Sequence, residues 1–282
     1  EVGKKRLRCG YTTGTCAAAA AQACGLALLA GTFPHSLRID TPAGIAVVVE
    51  PEEMHRGTDA QGAPWASCGV RKDAGDDADA TDGALVVTRV SLTDTPGTTI
   101  EGGAGVGRVT RAGLDQPVGA AAINSVPRAM IASELERAAR EHGWQGGFAV
   151  EVSVPGGEEI ARKTFNPRLG IEGGISILGT SGIVRPMSEE ALVESIRLEM
   201  RMRRAQGLRD LVLVPGNYGQ DWAQDREGID PTHIVSCSNF LGEALDYAGV
   251  LGFETLVLVG HMGKLAKVAT GAMNTHSRVA DG

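Results

Sequence analysis

The repeat pattern of this chain changes at one stretch, Gly173–Ser188, and that change constrains the fold more than any other feature. From this stretch onward, short apolar runs alternate with helical patterns. Ile175 to Leu178, Leu211 to Val214, His233 to Ser236 and Thr255 to Val259 are each followed by a loop and then a helix. Continuous apolar strands alternating with helices belong to a parallel sheet covered on both faces. The pattern therefore predicts a doubly wound, Rossmann-like α/β domain over residues 166–282. Its first helix runs from Ser188 to Ala205, with Ser188 as N-cap and Glu189 and Glu190 in the first turn. Leu192, Ile196 and Met200 fall on one face of that helix, and Arg197, Arg201 and Arg204 are expected to face solvent. Before the seam, strands and helices mix without strict alternation, which predicts an α+β domain over residues 1–165.

In doubly wound sheets the ligand crevice lies outside the carboxyl ends of the strands. Those ends carry Gly179-Thr180-Ser181-Gly182, then Gly216-Asn217, then Cys237-Ser238-Asn239, then Gly260-His261-Met262-Gly263-Lys264. Four loops of small or polar residues on one sheet edge predict a small-molecule crevice. His261 is its best general-base candidate; a histidine that only hydrogen-bonds the backbone fits the same sequence. Gly263-Lys264 is followed by Leu265, so it is no Walker loop, and neither a G-x-S-x-G elbow nor an HExxH pair occurs.

The first half opens with Arg8-Cys9-Gly10-Tyr11-Thr12-Thr13-Gly14-Thr15-Cys16 and an alanine-rich helix that Gly31 and Pro34 end. Thr13 or Thr15 is the expected N-cap. The helix start is readable as an anion site or as an ordinary capped core helix. Leu37 to Asp40, Ile45 to Glu50, Ala66 to Lys72, Ala84 to Val90 and Ala149 to Val154 read as strands. A helix opens at Ile123–Arg128 and closes at Gly143. Five aspartates lie in the loop between Lys72 and Gly83: Asp73, Asp76, Asp77, Asp79 and Asp82. The loop lacks the spacing of an EF-hand and is open to two readings, a ligand loop or a solvated turn. Gly102 to Arg108 has glycines but no following helix pattern, so a hairpin or bulge is expected there.

A net charge of -7 argues against a nucleic-acid footprint, and no apolar run is long enough to span a bilayer. Five cysteines without a CxxC pair suggest neither a disulfide frame nor a metal site. The N-terminal residues lack an apolar signal core, so the expectation is a cytoplasmic protein with reduced thiols.

The motifs taken together resemble the CbiD family, the cobalt-precorrin-5B C(1)-methyltransferases of the anaerobic cobalamin pathway. The resemblance rests on Gly10-Tyr11-Thr12-Thr13-Gly14-Thr15-Cys16-Ala17, Lys72-Asp73-Ala74-Gly75-Asp76-Asp77, Gly105 to Thr110, Val126-Pro127-Arg128, Val154 to Ala161, Gly173 to Pro186 and Gly263-Lys264. Ala78 and Ser125 stand where that pattern usually has proline, and family members continue beyond the position of Gly282, so a C-terminal part is expected to be missing. The resemblance implies methyl transfer from S-adenosyl-L-methionine to carbon 1 of a cobalt-containing tetrapyrrole. The donor is expected in the crevice at the strand ends, on Gly179, Thr180, Ser181, Gly182, Gly216, Asn217, Ser238, Asn239, Gly260, Gly263 and Lys264. Arg8, Thr12, Thr13, Thr15, Lys72, Asp76, Asp77, Arg108, Arg128 and Arg185 are the expected contacts for the carboxylate-rich substrate, with Asp73 and His261 at the chemistry. A homo-oligomer is left open. The competing readings are a tetrapyrrole carrier without catalysis and a nucleotide-dependent enzyme.

Overall fold

The computed structural model describes residues 7–216, 219, 222–223 and 229–277. The described chain forms two compact units: residues 7–110 with 115–187, and residues 111–114 with 188–277. The boundary lies after Met187, not at residue 165 as the alternation pattern predicts.

In the first unit the elements run β1 (Gly10–Tyr11), α1 (Thr13–Leu29), β2 (Leu37–Asp40), β3 (Ala46–Val49), β4 (Glu52–Thr58) and β5 (Pro64–Arg71). Then come β6 (Leu85–Thr93), β7 (Gly97–Gly102), β8 (Gly105–Val106), β9 (Arg108–Val109), α2 (Ser125–His142) and β10 (Gly147–Ser153). The unit closes with α3 (Gly157–Ala161), β11 (Ile171–Glu172), β12 (Gly174–Ile175) and β13 (Ile183–Val184). Its main sheet has the order β4-β5-β6-β10-β7, antiparallel except for the parallel pair β10 and β7. Gly102 to Arg108 forms no helix, as expected, but in place of a hairpin its short strands pair with distant segments, β8 with β12 and β9 with β11.

α1 is buried on every side, with 14 of its 17 residues shielded. A helix that is apolar all round belongs inside a core, and alanine makes this one thin enough to lie between the sheet and α2. A Cβ added at Gly14 would come within 2.6 Å of Pro127, and one at Gly25 within 2.8 Å of Leu135, so the approach to α2 depends on glycine. On the sheet side, the Thr88 hydroxyl donates to the Ala17 carbonyl at 3.2 Å.

The seam segment belongs to this unit. Ile175 pairs in parallel with Val106, Ile177 bridges to Ile123, and Ile183–Val184 pair with Tyr11 and Gly10. Ile175 and Ile177 are fully buried in the same core as α1. The apolar run that looks like the first strand of a parallel sheet is thus claimed by partners on the N-terminal side.

The second unit contains α4 (Glu189–Ala205), β14 (Asp210–Val214), β15 (Ile234–Ser236), α5 (Leu241–Leu251), β16 (Thr255–Leu258) and α6 (Met262–Ala269). The strands form a parallel sheet in the order β15-β14-β16. Successive residues of β14 serve opposite faces, as a strand requires. Leu211 and Leu213 pack with Ile196, Met200, Leu241, Ala244 and Ala248, whereas Val212 and Val214 pack with Ala223 and Ile234. Ser188 caps α4 as expected, accepting from the Ala191 amide at 3.2 Å. Two expectations for that helix fail. Leu192 is 53% exposed. The arginines lie along α5 instead of facing solvent: Arg197 reaches Glu243 at 2.7 Å, Arg201 the Tyr247 hydroxyl at 3.0 Å, and Arg204 the Leu251 carbonyl at 3.0 Å. Long stems with polar tips cover a helix pair well. Among the described residues no helix is long and apolar enough to cross a membrane.

Candidate functional site

At the carboxyl ends of β14, β15 and β16, three of the four expected loops converge. The Lys264 ammonium, on the first turn of α6, donates to the Asn239 side-chain oxygen at 3.0 Å and to the Pro215 carbonyl. One side chain thus ties together the loops that carry Gly216, Ser238-Asn239 and Gly260–Lys264. Ser238 is held at φ 51, a left-handed conformation for a residue with a Cβ. Asn217 lies outside the described residues. Residues 274–277 complete the rim: the Thr275 hydroxyl reaches Asn239 at 3.3 Å, and the Thr275 amide donates to the Asn239 carbonyl at 3.0 Å. The cavity so formed has a volume of about 450 Å³ and is lined by Asn239, His261, Lys264, Lys267, Thr275 and His276, with Gly263 and Ser277 between them. Lys267, Thr275 and His276 have no signal in the strand-end pattern, because they arrive from the next helix and the segment after it.

His261 is the N-cap of α6. Its Nδ1 accepts from the Gly263 amide at 3.1 Å. With Nδ1 accepting, a neutral ring carries its proton on Nε2 and offers a donor there, not a base. Burial pushes the Cys237 thiol up to about 11, so it stays protonated at neutral pH.

The fourth loop is elsewhere. Gly179-Thr180-Ser181-Gly182 closes over the N-terminus of α1 in the first unit. The Gly14 amide donates to Leu178 at 3.0 Å, the Thr12 amide to Gly182 at 3.1 Å, and the Thr15 hydroxyl to Gly182 at 2.7 Å. Thr13 bonds the carbonyls of Ser176 and Leu178 and the Leu178 amide. Thr12, instead of Thr13 or Thr15, is the N-cap. All three threonines are buried. The Thr15 amide is taken by the Thr12 hydroxyl, and the bonds to Ser176, Leu178 and Gly182 make the helix start and the Ser176–Gly182 segment each other's partners. Thr180 is exposed, and the Ser181 hydroxyl is turned back to the Ile183 carbonyl at 2.9 Å.

The aspartate loop is likewise fully engaged. Arg8 forms a bidentate pair with Asp73, and its amide donates to Asp76 at 2.8 Å. That guanidinium, helped by the Gly75 amide, holds the Asp73 carboxyl below its ordinary value. Lys72 is buried and pairs with Asp79 at 2.9 Å. Burial pushes Asp79 up, but Lys72 and Thr81 together hold it below its ordinary value. Asp82 accepts from the Ala74 amide at 2.8 Å, and Asp77 from the Met187 amide at 3.3 Å. All five aspartates of the loop are therefore hydrogen-bonded, Asp73 and Asp76 to Arg8 and Asp77 to Met187, while Asp76 and Asp82 remain exposed. Arg108 is committed to the Gly119 carbonyl and Glu101, and Arg128 to the carbonyls of Ile123 and Ile100. Arg185 is exposed just beyond β13, whose partner strand follows Arg8.

Comparison with known proteins adds independent findings. A model of the CbiD family matches residues 1–186. The chain is 49% identical over 278 residues to a cobalt-precorrin-5B C(1)-methyltransferase of Ruminiclostridium cellulolyticum, spanning 99% of this chain and 71% of that protein. A protein of the same name from Thermoanaerobacter sp. is 49% identical over 98% of this chain and 73% of its own length. Among solved structures, a cobalamin biosynthesis protein (CbiD) from Archaeoglobus fulgidus matches with a TM-score of 0.50 at 29% identity, covering 98% of this chain and 85% of that one.

Proposed function

Because the chain belongs to the CbiD family, we propose that it methylates carbon 1 of cobalt-precorrin-5B to give cobalt-precorrin-6A in cobalamin biosynthesis. The carrying observation is the near-half identity, over almost all of this chain, to proteins that bear that name. The methyl donor is S-adenosylmethionine, whose sulfonium supplies an activated methyl group for in-line displacement. Such a step needs alignment and exclusion of water more than a strong base.

The second unit fits such a donor. It reads as a Rossmann-like sheet, and its crevice lies where that architecture binds ligands. Its volume of about 450 Å³ suits a small cofactor. Gly216, Ser238, Asn239 and Gly260 would hold the donor, with Lys264 as the tie that keeps their loops together. Arg8 and Arg185 would meet the carboxylates of the macrocycle, and Asp73 acts as a positioning residue by fixing Arg8. Buried Thr12, Thr13, Thr15 and Lys72, with half-buried Asp77, support that face.

Incubation with purified cobalt-precorrin-5B and methyl-labelled S-adenosylmethionine tests the reading. The expected product gains one labelled methyl on carbon 1. Tetrapyrrole binding without any mass gain would make the protein a carrier, and a requirement for ATP would make it a nucleotide-dependent enzyme.

A further inference from the structure

We infer that the cavity beside α6 is a carboxylate pocket, with Lys264 and Lys267 supplying its charge. The chain as a whole is acidic, with 34 Asp and Glu against 27 Lys and Arg. Yet among the described residues that line this cavity there are two lysines and two histidines and no acid. The contrast exists inside the same unit. A second cavity, between α4 and α5, is lined by Glu189, Glu190, Glu194, Glu243 and Asp246, with Arg197 the one base among its described residues.

The polar groups of the basic cavity are donors. An ammonium has three protons. Lys264 spends two, on Pro215 and Asn239, both neutral oxygens. Among the described ion pairs it has no carboxylate partner, so its charge is held in place but not neutralised. The Asn239 side-chain oxygen accepts from both Lys264 and Thr275, which assigns its NH₂ as a donor. His261 accepts through Nδ1 and so donates through Nε2. The N-terminus of α6 adds partial positive charge of the same sign. A set of donors around an unneutralised ammonium recognises an anion with several lone pairs.

This inference rests on the methyl-transfer reading for its two sources: the amino-acid carboxylate of the donor, or a carboxylate side chain of the tetrapyrrole. In the first case the sulfonium must lie away from the lysines, because like charges at close range repel.

Calorimetric titration of the full chain separates the sources. The probes are S-adenosylhomocysteine, 5′-methylthioadenosine (the same nucleoside thioether without the amino-acid carboxylate), uroporphyrin (a tetrapyrrole ringed with carboxylates) and ATP. The proteins are the parent, Lys267→Gln and Lys264→Gln. If the donor supplies the anion, S-adenosylhomocysteine binds at least about tenfold tighter than 5′-methylthioadenosine, and Lys267→Gln removes that advantage. If the macrocycle supplies it, Lys267→Gln weakens uroporphyrin by about tenfold and leaves both nucleosides unchanged. The inference is overturned if S-adenosylhomocysteine and uroporphyrin both keep their affinities in a folded Lys267→Gln protein, or if ATP alone responds. Lys267 lies outside the Pro215–Asn239 tie, so its variant carries the test should Lys264→Gln fail to fold. Labelled-methyl turnover is scored separately. Methylation without a pocket response sinks only this inference, and a pocket response without methylation sinks only the methyl-transfer reading.

Discussion

A valine placed at Gly179 and one placed at Gly216 have different expected effects on ligand binding, though both glycines follow apolar segments in small-residue loops. Gly179 sits at φ +141, and an added Cβ would overlap the Thr12 side chain at the start of α1. Gly179→Val should cost about 2 kcal/mol or more of stability and leave binding of S-adenosylhomocysteine intact. At Gly216 an added Cβ would lie 3.5 Å from the Lys264 ammonium. Gly216 sits at φ +155, so Gly216→Val is strained as well, but it should in addition weaken that ligand by about tenfold, because its side chain stands beside the tie between the loops. Thermal unfolding and calorimetry on both variants check the pair; the same outcome for both would refute it. His261 gives a third residue-scale prediction. Its role as a helix cap and as one donor of the pocket predicts that His261→Ala loses about 1 kcal/mol of stability and weakens S-adenosylhomocysteine without abolishing turnover, and that His261→Asn restores the stability, since asparagine caps well. Complete loss of methylation in a folded His261→Ala protein would assign it the chemistry instead.

Among the elements, α1 and the aspartate loop show how much can be spent on internal satisfaction. The alanine run dictates a helix thin enough to bury whole, and the Ser176–Gly182 segment partners its start. The Lys72–Asp79 pair does the same for charge. Its side chains are 2% and 25% exposed, so removing one partner strands the other. Asp79→Asn should destabilise the first unit by roughly 3 kcal/mol, more than Lys72→Met, which removes the buried charge itself. The pH dependence follows from the sign of the shift. Asp79 and Asp73 both lie below their ordinary values when folded. Their stabilisation is therefore fully present above the unfolded carboxylate value of about 4 and is lost as pH falls through the lower folded values. Acid titration of unfolding should show the gap between Asp79→Asn and the parent shrinking as pH falls below the unfolded carboxylate value. A gap that does not shrink as the solution is acidified would contradict the pairing. At α2 the departure from the family pattern has a visible use: the Ser125 amide and hydroxyl both reach Asp115, at 2.6 and 2.7 Å, where a proline could offer no amide.

For the whole molecule, each unit has its own core, and the basic cavity belongs to the second alone. A ligand that binds only the native crevice stabilises it by mass action, by about 2.7 kcal/mol at one hundred times its dissociation constant. Hydrogen exchange should therefore slow at Cys237–Asn239, at Gly260–Lys264 and around Thr275 when S-adenosylhomocysteine is added. The amides of the Gly179–Gly182 loop should not respond. Protection at that loop instead would move the donor to the first unit.

What the sequence alone determined is whatever depends on a few neighbouring residues. The alanine helix, the Ser188 cap, the closure of α2 at Gly143 and the strand segments around Leu211 and Thr255 all follow from propensity, caps and apolar runs. The motif resemblance also determined the family, because long ordered motifs identify descent without any coordinates. Tertiary structure decided which segments pair. Ile175 meets Val106 and Tyr11 meets Ile183 across long stretches of chain, and an apolar run reads the same whichever sheet claims it. A glycine loop also has one composition whether it seals a helix end, as Gly179–Gly182 does, or rims a crevice, as Gly216 and Gly260 do. Only the partner chosen in space distinguishes them, since the hydrogen bonds that satisfy those backbones are made with residues far away in sequence.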